Sequence, residues 1–232
     1  MDVYYSVDED NLTLEAAEYF FSEIRSLLKQ KDAITVALDY HSSLYSFYSN
    51  LSLLSSFLEK EAWKKIIFVI AHERVVPLDY HESSYHNLNH CFFSPLLHNK
   101  YIGEKQIILI NPEEEDPSQA FNKKVSSIDL AVLCVCPPKG TLVGLAPRHP
   151  ALQDEIKTFL LVKNFPSDSK RHITLSPKQL ISLETTFLFF TAKETKQHYK
   201  DFLDKTLSSD ECPAKLVENN KNLYVFTVHP RN

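Results

Sequence analysis

The chain has 232 residues, 44% of them hydrophobic, and a formal net charge of −5. This length and composition predict one folded domain over residues 1–232 and exclude an intrinsically disordered chain. The acidic balance argues against a nucleic-acid partner, and no apolar run approaches the roughly 20 residues that cross a membrane. Residues 1–10 lack the pattern of a signal peptide and the four cysteines form no secreted disulfide framework, so we expect a cytoplasmic protein.

Short apolar runs alternate along the chain with amphipathic segments. The first helix is predicted to begin after Thr13, as its N-cap, and to end near Leu28, because apolar residues recur there at helical spacing. Further helices are predicted at 42–58, at 117–125, from 176 onward and at 193–205. Strands are predicted at 34–38, 66–71, 106–110, 130–135, 158–162, 186–190 and 223–228. The alternation predicts an α/β fold of three layers, in which helices cover both faces of a mostly parallel sheet.

Basic and imidazole side chains follow several of the predicted strands. Ligands of open α/β sheets bind outside the carboxyl ends of the strands, so these side chains are expected near one rim. The residues are His41, His72, Arg74, Lys139, Arg148, His149, Arg171 and His172. Together they suggest a site for a phosphosugar or another small anion. The alternative, that each is an ordinary polar loop residue, stays open at this point.

Metal and cofactor sites are not expected from the sequence. Cys134 and Cys136 could contribute two metal ligands, but a Cys-x-Cys pair alone is a weak signal, and buried cysteine is more often a small apolar residue. Four histidines have a spacing too loose to indicate a metal site, namely His81, His86, His90 and His98. The chain has only three glycines, which leaves few for a backbone loop that wraps a phosphate.

Four segments occur in the order and at the spacing of one known family. Residues 72–85 resemble its Asp-Glu-Arg-x-Val-Pro block and the Ser-Asn-Tyr-Gly that ends it, and residues 147–152 resemble the end of its catalytic block. Residues 173–175 are similar to its Arg-Ile-Thr-Leu segment, and residues 213–217 to its Leu-Pro-Ala-x-Leu-Val. On these motifs the chain resembles a divergent 6-phosphogluconolactonase, within the glucosamine-6-phosphate isomerase/6-phosphogluconolactonase superfamily.

The resemblance breaks at the family's two most characteristic loops. Its phosphate loop, Leu-Ser-Gly-Gly-Ser-Thr-Pro, is replaced by residues 38–44, in which Asp39 adds a negative charge and only Ser42 and Ser43 keep a hydroxyl. The histidine that activates water in the family falls on Gly140, or on Thr141 if an insertion is absorbed there. Neither residue acts as a base near neutral pH.

Two smaller departures fall on charged positions of the family. His72 stands for the aspartate of Asp-Glu-Arg, and His172 for the arginine of Arg-Ile-Thr-Leu. The resemblance implies that the remaining substrate contacts come from Ser42, Ser43, Arg74, Arg148, Arg171 and His172. It leaves three candidates for a substitute base or electrostatic donor, namely His41, His72 and Lys139.

The resemblance implies hydrolysis of 6-phosphogluconolactone to 6-phosphogluconate, a carboxylic-ester hydrolase reaction of the pentose phosphate pathway. The replaced histidine and phosphate loop count against that activity, because lactone hydrolysis needs a base for water and donors for the oxyanion. A non-catalytic homologue that binds a sugar phosphate or a protein partner is the alternative. The related glucosamine-6-phosphate deaminase chemistry is a third, which the segment 72–77 fits less well.

Overall fold

A computed structural model describes residues 1–125, 127–155, 158–163 and 170–230. The strands are β1 (Asp2–Tyr5), β2 (Ile34–Leu38), β3 (Ile66–Ile70), β4 (His72–Arg74), β5 (Ile107–Ile108), β6 (Leu130–Cys136), β7 (Thr141–Leu142), β8 (Phe159–Val162), β9 (His172–Leu175), β10 (Thr185–Phe190) and β11 (Asn222–Thr227). The helices are α1 (Glu9–Leu28), α2 (Tyr45–Leu53), α3 (Lys60–Trp63), α4 (Ser84–Leu88), α5 (Ser94–His98), α6 (Pro117–Lys124), α7 (Pro177–Ser182) and α8 (Lys196–Leu203).

The central sheet follows the order β1-β11-β10-β6-β2-β3-β5, and each neighbouring pair in that order is parallel. The short strand β7 pairs antiparallel with β6. Strand β6 lies in the middle, where Val132 pairs with Phe187 of β10 and with Leu38 of β2. These central strands are buried on both faces, which is why each one is an almost uninterrupted apolar run in the sequence.

Two apolar cores lie on opposite faces of the central sheet. The alternation of side chains along each strand divides neighbours between them, so that Val36 faces one core and Ala37 the other. Helices α1, α2, α4 and α5 cover the first core, and α6, α7 and α8 cover the second. The predicted three-layer α/β fold with a mostly parallel sheet is therefore confirmed.

A second, antiparallel sheet of order β4-β9-β8 packs on the second core. The strand predicted at 158–162 forms β8 of this smaller sheet. Strand β8 is almost as buried as a strand of the central sheet, because Phe159 and Leu160 pack into the second core. The segment 72–74 is drawn out as β4 by pairing with β9, which no local pattern predicted.

Several predicted boundaries were wrong. Helix α1 starts before Thr13: Asp8 is the N-cap and accepts hydrogen bonds from the backbone N–H groups of Asp10 and Asn11. Strand β1 was missed, and β5 is shorter than the predicted run at 106–110. The predicted helix at 42–58 consists of a 3₁₀ turn at 42–44, then α2, then a second 3₁₀ turn at 55–57.

A π-helical turn joins α4 to α5 over residues 89–93, and no element was predicted there. The π turn inserts a residue into the helical repeat, so that Cys91, Phe92 and Phe93 are all buried in succession. An amphipathic pattern of period 3.6 is lost at such a turn. None of the helices in the described parts of the chain is long and apolar enough to cross a membrane.

Candidate functional site

A groove of about 510 Å³ lies at the carboxyl ends of β2, β6 and β10. It is lined by the loop after β2, the loop after β6, the turn after β10 and the start of α1. The lining residues are Glu9, His41, Ser42, Ser43, Pro137, Pro138, Thr191, Ala192, Lys193 and Glu194. The position agrees with the rule that open α/β sheets bind ligands beyond the carboxyl ends of their strands.

The carboxylate of Asp39 is buried beneath this groove. Its backbone N–H donates to the carbonyl of Val132 (2.9 Å), which extends the β2–β6 ladder by one bond. Its side chain then accepts a hydrogen bond from the backbone N–H of Cys134 (3.3 Å). Burial raises the pKa of Asp39 to about 7. The side chain of Asp39 therefore continues the hydrogen bonding between β2 and β6 beyond the last paired residues of the two strands.

His41, Ser43, Cys134 and Cys136 form a compact polar cluster above Asp39. The imidazole Nδ1 of His41 lies 2.9 Å from the hydroxyl of Ser43, and that hydroxyl lies 3.5 Å from the thiol sulfur of Cys134. One ring nitrogen of His41 and the two thiol sulfurs all lie within 4.8 Å of one another. Hydrogen bonds from the Cys136 thiol and from His41 lower the pKa of the Cys134 thiol.

Gly140 is one of the two residues on which the sequence analysis expects the family's catalytic histidine to fall. Its φ of +67° lies in the left-handed region, and a Cβ atom added to it would come within 2.6 Å of Nδ1 of His198. His198, on α8, is held in place by a 2.9 Å hydrogen bond from Nε2 to the carbonyl of Pro138. The side chain of His198 thus fills the space beside Gly140, and a residue with a Cβ there would require that side chain to move.

Thr141, the other position to which that histidine aligns, belongs to β7 and pairs with Cys136. The Pro137–Pro138 peptide bond that precedes this turn is cis. Lys139, a candidate electrostatic donor, is exposed on the same turn.

His72 and His172, the two departures from the family's charged positions, contact each other. Nε2 of His72 lies 2.9 Å from Nδ1 of His172, and the rings stack with their centroids 5.1 Å apart. One ring nitrogen donates its proton to the other, so each histidine supplies a hydrogen-bond partner to the other. The two replacements are therefore coupled: they lie on neighbouring strands β4 and β9 and form one interaction.

The described contacts distribute the predicted anion-binding residues over three neighbourhoods. His41, Ser42 and Ser43 line the groove, whereas His72, Arg74, Arg171 and His172 lie at the β4–β9 pair. The guanidinium of Arg74 donates to the carbonyl of Glu82 (3.0 Å), and that of Arg171 to the carbonyl of Glu115 (2.6 Å).

Arg148 and His149 lie in the third neighbourhood, on the loop after β7. The side chain of Arg148 is 77% exposed and stands 4.0 Å from the carboxylate of Glu211. His149 caps a 3₁₀ turn by accepting the backbone N–H of Ala151 (3.1 Å). The expectation that these residues converge with the others at the groove stays a prediction.

Sequence reasoning missed four residues that shape the site or its surroundings. Lys193 and Thr191 line the groove, and they follow a strand that was correctly predicted, so the rule about carboxyl ends could have found them. Nothing in the sequence signals His198, which reaches Gly140 from a helix 58 positions later. Glu73 was quoted only as part of a motif, although it is buried and accepts four hydrogen bonds.

The chain is similar to proteins named as lactonases over most of its length. The model of the family described as glucosamine-6-phosphate isomerases/6-phosphogluconolactonase matches residues 7–225. A 6-phosphogluconolactonase of Borreliella burgdorferi is 28% identical over 187 residues, which cover 77% of this chain and 79% of that protein.

Solved structures with the same fold are more distant in sequence. A 6-phosphogluconolactonase from Leishmania guyanensis has a TM-score of 0.82 at 12% identity, covering 97% of this chain and 96% of that one. A monomeric glucosamine-6-phosphate deaminase has a TM-score of 0.79 at 16% identity, covering 98% and 97%. At such identities the likeness shows the fold alone. Since the family model spans most of the chain and its curated relatives are named 6-phosphogluconolactonases, the chain belongs to the glucosamine-6-phosphate isomerase/6-phosphogluconolactonase family, in the 6-phosphogluconolactonase branch.

Proposed function

We propose that this chain is a non-hydrolytic member of the lactonase family that binds a sugar phosphate in the groove beyond β2, β6 and β10. The observation that carries the proposal is the environment of Gly140. Because its φ is +67° and Nδ1 of His198 lies 2.6 Å from where its Cβ would stand, a histidine at position 140 would require the ring of His198 to move. A histidine placed at position 140 would therefore also need a change in the packing of α8.

The chemistry of lactone hydrolysis explains why this matters. A positioned general base contributes typically about 10²–10⁴-fold to such a reaction, and threonine at position 141 has no acceptor basic enough to replace it. Asp39 does not compensate, because its carboxylate is 1% exposed and accepts the N–H of Cys134. Among the three candidate substitutes, His72 is bonded to His172, and Lys139 is exposed on the turn.

The groove has the size and polarity that a sugar phosphate needs. Its volume of about 510 Å³ falls within the range of about 300–1,000 Å³ that is usual for small-molecule sites. Hydroxyl groups of Ser42, Ser43 and Thr191 suit the hydroxyls of a sugar, and the exposed ammonium of Lys193 suits a phosphate or carboxylate. The protein has free cysteines in the described parts of the chain, which suits the reducing cytoplasm where we place it.

The first experiment measures turnover of freshly generated 6-phosphogluconolactone against the uncatalysed rate. We expect no rate above background from folded protein, in a preparation for which circular dichroism shows the α/β signature. We also expect Gly140→His to gain no activity, since the new side chain meets His198. A rate clearly above background in the wild-type protein would overturn the non-hydrolytic proposal.

The second experiment measures binding of 6-phosphogluconate by calorimetry. Lys193→Ala should weaken binding by roughly tenfold, about 1.4 kcal/mol, because a charged hydrogen bond to the anion is removed. Lys64→Ala is the matched control, since Lys64 stands before β3 at the opposite end of the sheet and is paired with Glu61. If the wild-type protein binds neither this nor related phosphosugars, the sugar-phosphate proposal fails and a protein partner becomes the better hypothesis.

A slow lactonase that uses His41 is the second candidate function. It is favoured by one observation, namely that His41 lines the groove and lies 2.9 Å from the hydroxyl of Ser43. This hypothesis predicts turnover above background that His41→Gln removes and that Gly140→His leaves unimproved. Turnover that survives His41→Gln would exclude His41 as the base and direct attention to His72 and Lys139.

A further inference from the structure

Two cysteines and one histidine converge at the end of β6. Cys134 and Cys136 are two residues apart on one strand, so their side chains leave the same side of the sheet. His41 reaches them from the loop that follows the neighbouring strand β2. One imidazole nitrogen and both sulfurs lie within 4.8 Å of one another.

These separations are close to those of a metal centre. Around a tetrahedral Zn²⁺ with bonds of about 2.3 Å to sulfur and about 2.0 Å to nitrogen, the ligand atoms stand roughly 3.5–3.8 Å apart. Small rotations of the side chains suffice to close the difference. We propose that His41, Cys134 and Cys136 bind one Zn²⁺ ion at the wall of the groove, with a fourth position left open.

Neighbouring groups already hold the proposed ligands in place. The hydroxyl of Ser43 contacts both Nδ1 of His41 (2.9 Å) and the sulfur of Cys134 (3.5 Å). The backbone N–H of Cys134 is bound by the carboxylate of Asp39. Contacts of this kind orient the ligands of metal sites, and changing one of them typically costs roughly 10–100-fold in metal affinity.

The site's burial and charge favour a divalent cation. Cys134 is fully buried and Asp39 is 1% exposed, so two thiolates and a carboxylate would share a region with little water. Acidic groups concentrated in this way are stabilised when they coordinate a cation. The ion has a route of entry, because His41 lines the open groove and Cys136 is half-buried.

The proposal does not depend on sugar binding or on hydrolysis. It concerns three side chains whose contacts exist in the protein alone, so its test needs neither substrate nor activity. The sequence suggested no metal here, because the third ligand lies 93 positions before Cys134 and only the β2–β6 pairing brings it close. The competing interpretation is a thiol pair hydrogen-bonded to an imidazole without metal.

The experiment titrates the reduced, metal-free full chain with Co²⁺ under anaerobic conditions. We expect one Co²⁺ per chain, with an intense thiolate-to-cobalt absorption band, tetrahedral d–d bands, and loss of both when Zn²⁺ is added. The absence of a thiolate band, or binding of Cu⁺ without Co²⁺ or Zn²⁺, would overturn the assignment.

Variants identify the ligands. Cys136→Ser should remove about half of the thiolate band. It should also lower the affinity for Co²⁺ by at least roughly 10–100-fold, which is the usual effect of losing only a contact that supports a ligand. His41→Asn should weaken binding while leaving the thiolate band in place. The matched controls are Cys91→Ser and Cys212→Ser, which change two other buried thiols and should leave the titration unchanged. If the two ligand variants and the two controls changed the Co²⁺ titration equally, the proposed site would be wrong.

Thermal stability supplies a readout that does not rely on spectra. Zn²⁺ should raise the Tm of the wild-type protein and of both controls, because a ligand that binds only the folded chain stabilises it. The increase should disappear in Cys134→Ser and in Cys136→Ser. If Zn²⁺ leaves the wild-type Tm unchanged at concentrations that saturate ordinary zinc sites, the proposal fails even where Cys134→Ser does not fold.

Discussion

At the scale of single residues, Gly140 has the largest influence on the candidate site. Its left-handed φ favours glycine, and an added Cβ would come within 2.6 Å of the His198 ring, which would then have to shift. Gly103 differs in both respects, because its φ is −117° and an added Cβ would meet no atom closer than 4.0 Å. The two glycines therefore allow the packing argument to be tested with the same substitution.

We predict that Gly140→Ala lowers the free energy of unfolding by about 1–3 kcal/mol, the usual cost of a strained backbone conformation. Gly103→Ala should stay within about 0.5 kcal/mol of the wild type. Chemical denaturation of both variants provides the measurement. Equal losses at the two positions would show that His198 does not constrain Gly140 and would weaken the argument against a histidine there.

At the scale of elements, Glu73 connects β4 to the start of α4. Its carboxylate accepts hydrogen bonds from the N–H groups of Arg74, Ser84 and Tyr85 and from the hydroxyl of Ser83, at 2.7–3.0 Å. Burial nevertheless raises the pKa of Glu73 to about 7, against an ordinary value of 4.5. The position of the helical segment 84–98 relative to the small sheet thus depends on one buried acid.

This shift predicts how stability depends on pH. Because the pKa is higher in the folded than in the unfolded state, the contribution of Glu73 is full below about pH 4.5 and is lost as the pH rises through about 7. The difference in unfolding free energy between wild type and Glu73→Gln should therefore fall over that range. Denaturation at several pH values measures it.

The control for this prediction is Glu61→Gln, since the side chain of Glu61 is 79% exposed. Its stability difference from the wild type should not change over the same range of pH. If the difference in unfolding free energy between wild type and Glu73→Gln instead grew with pH, the prediction would be wrong. The four hydrogen bonds would then outweigh burial and keep the carboxylate charged.

At the scale of the whole molecule, the two cores share the strands of one sheet. Phe187 and Leu188 are neighbours on β10 but face opposite cores. The single tryptophan, Trp63, belongs to the first core, whereas Leu188 belongs to the second. The prediction of one domain over residues 1–232 implies that both cores unfold together.

We predict that Leu188→Ala lowers stability by roughly 2–5 kcal/mol, as expected for a buried leucine. Trp63 fluorescence and far-ultraviolet circular dichroism should report the same lowered Tm for this variant. We expect this agreement even though Trp63 and Leu188 lie on opposite faces of the sheet. Leu53→Ala is the control, because Leu53 is 79% exposed and should change little. Two separated transitions would contradict a single cooperative domain.

The sequence by itself determined the layers of this protein and its family. Apolar runs such as 66–71 and 130–135 alternate with amphipathic helices, and burial of both leaves few arrangements other than helices on each side of a parallel sheet. Local motifs such as 72–85 were enough to suggest the lactonase branch, which the comparisons confirm.

Only the tertiary structure decided which residues meet at the site. His41 reaches Cys134 and Cys136, His198 fills the space at Gly140, and His72 bonds to His172. Each of these contacts joins residues that are between 58 and 100 positions apart. The pairing of β2 with β6 brings His41 to the cysteines, the pairing of β4 with β9 joins the two histidines, and the packing of α8 brings His198 to the turn after β6. No local pattern of residues contains these long-range pairings.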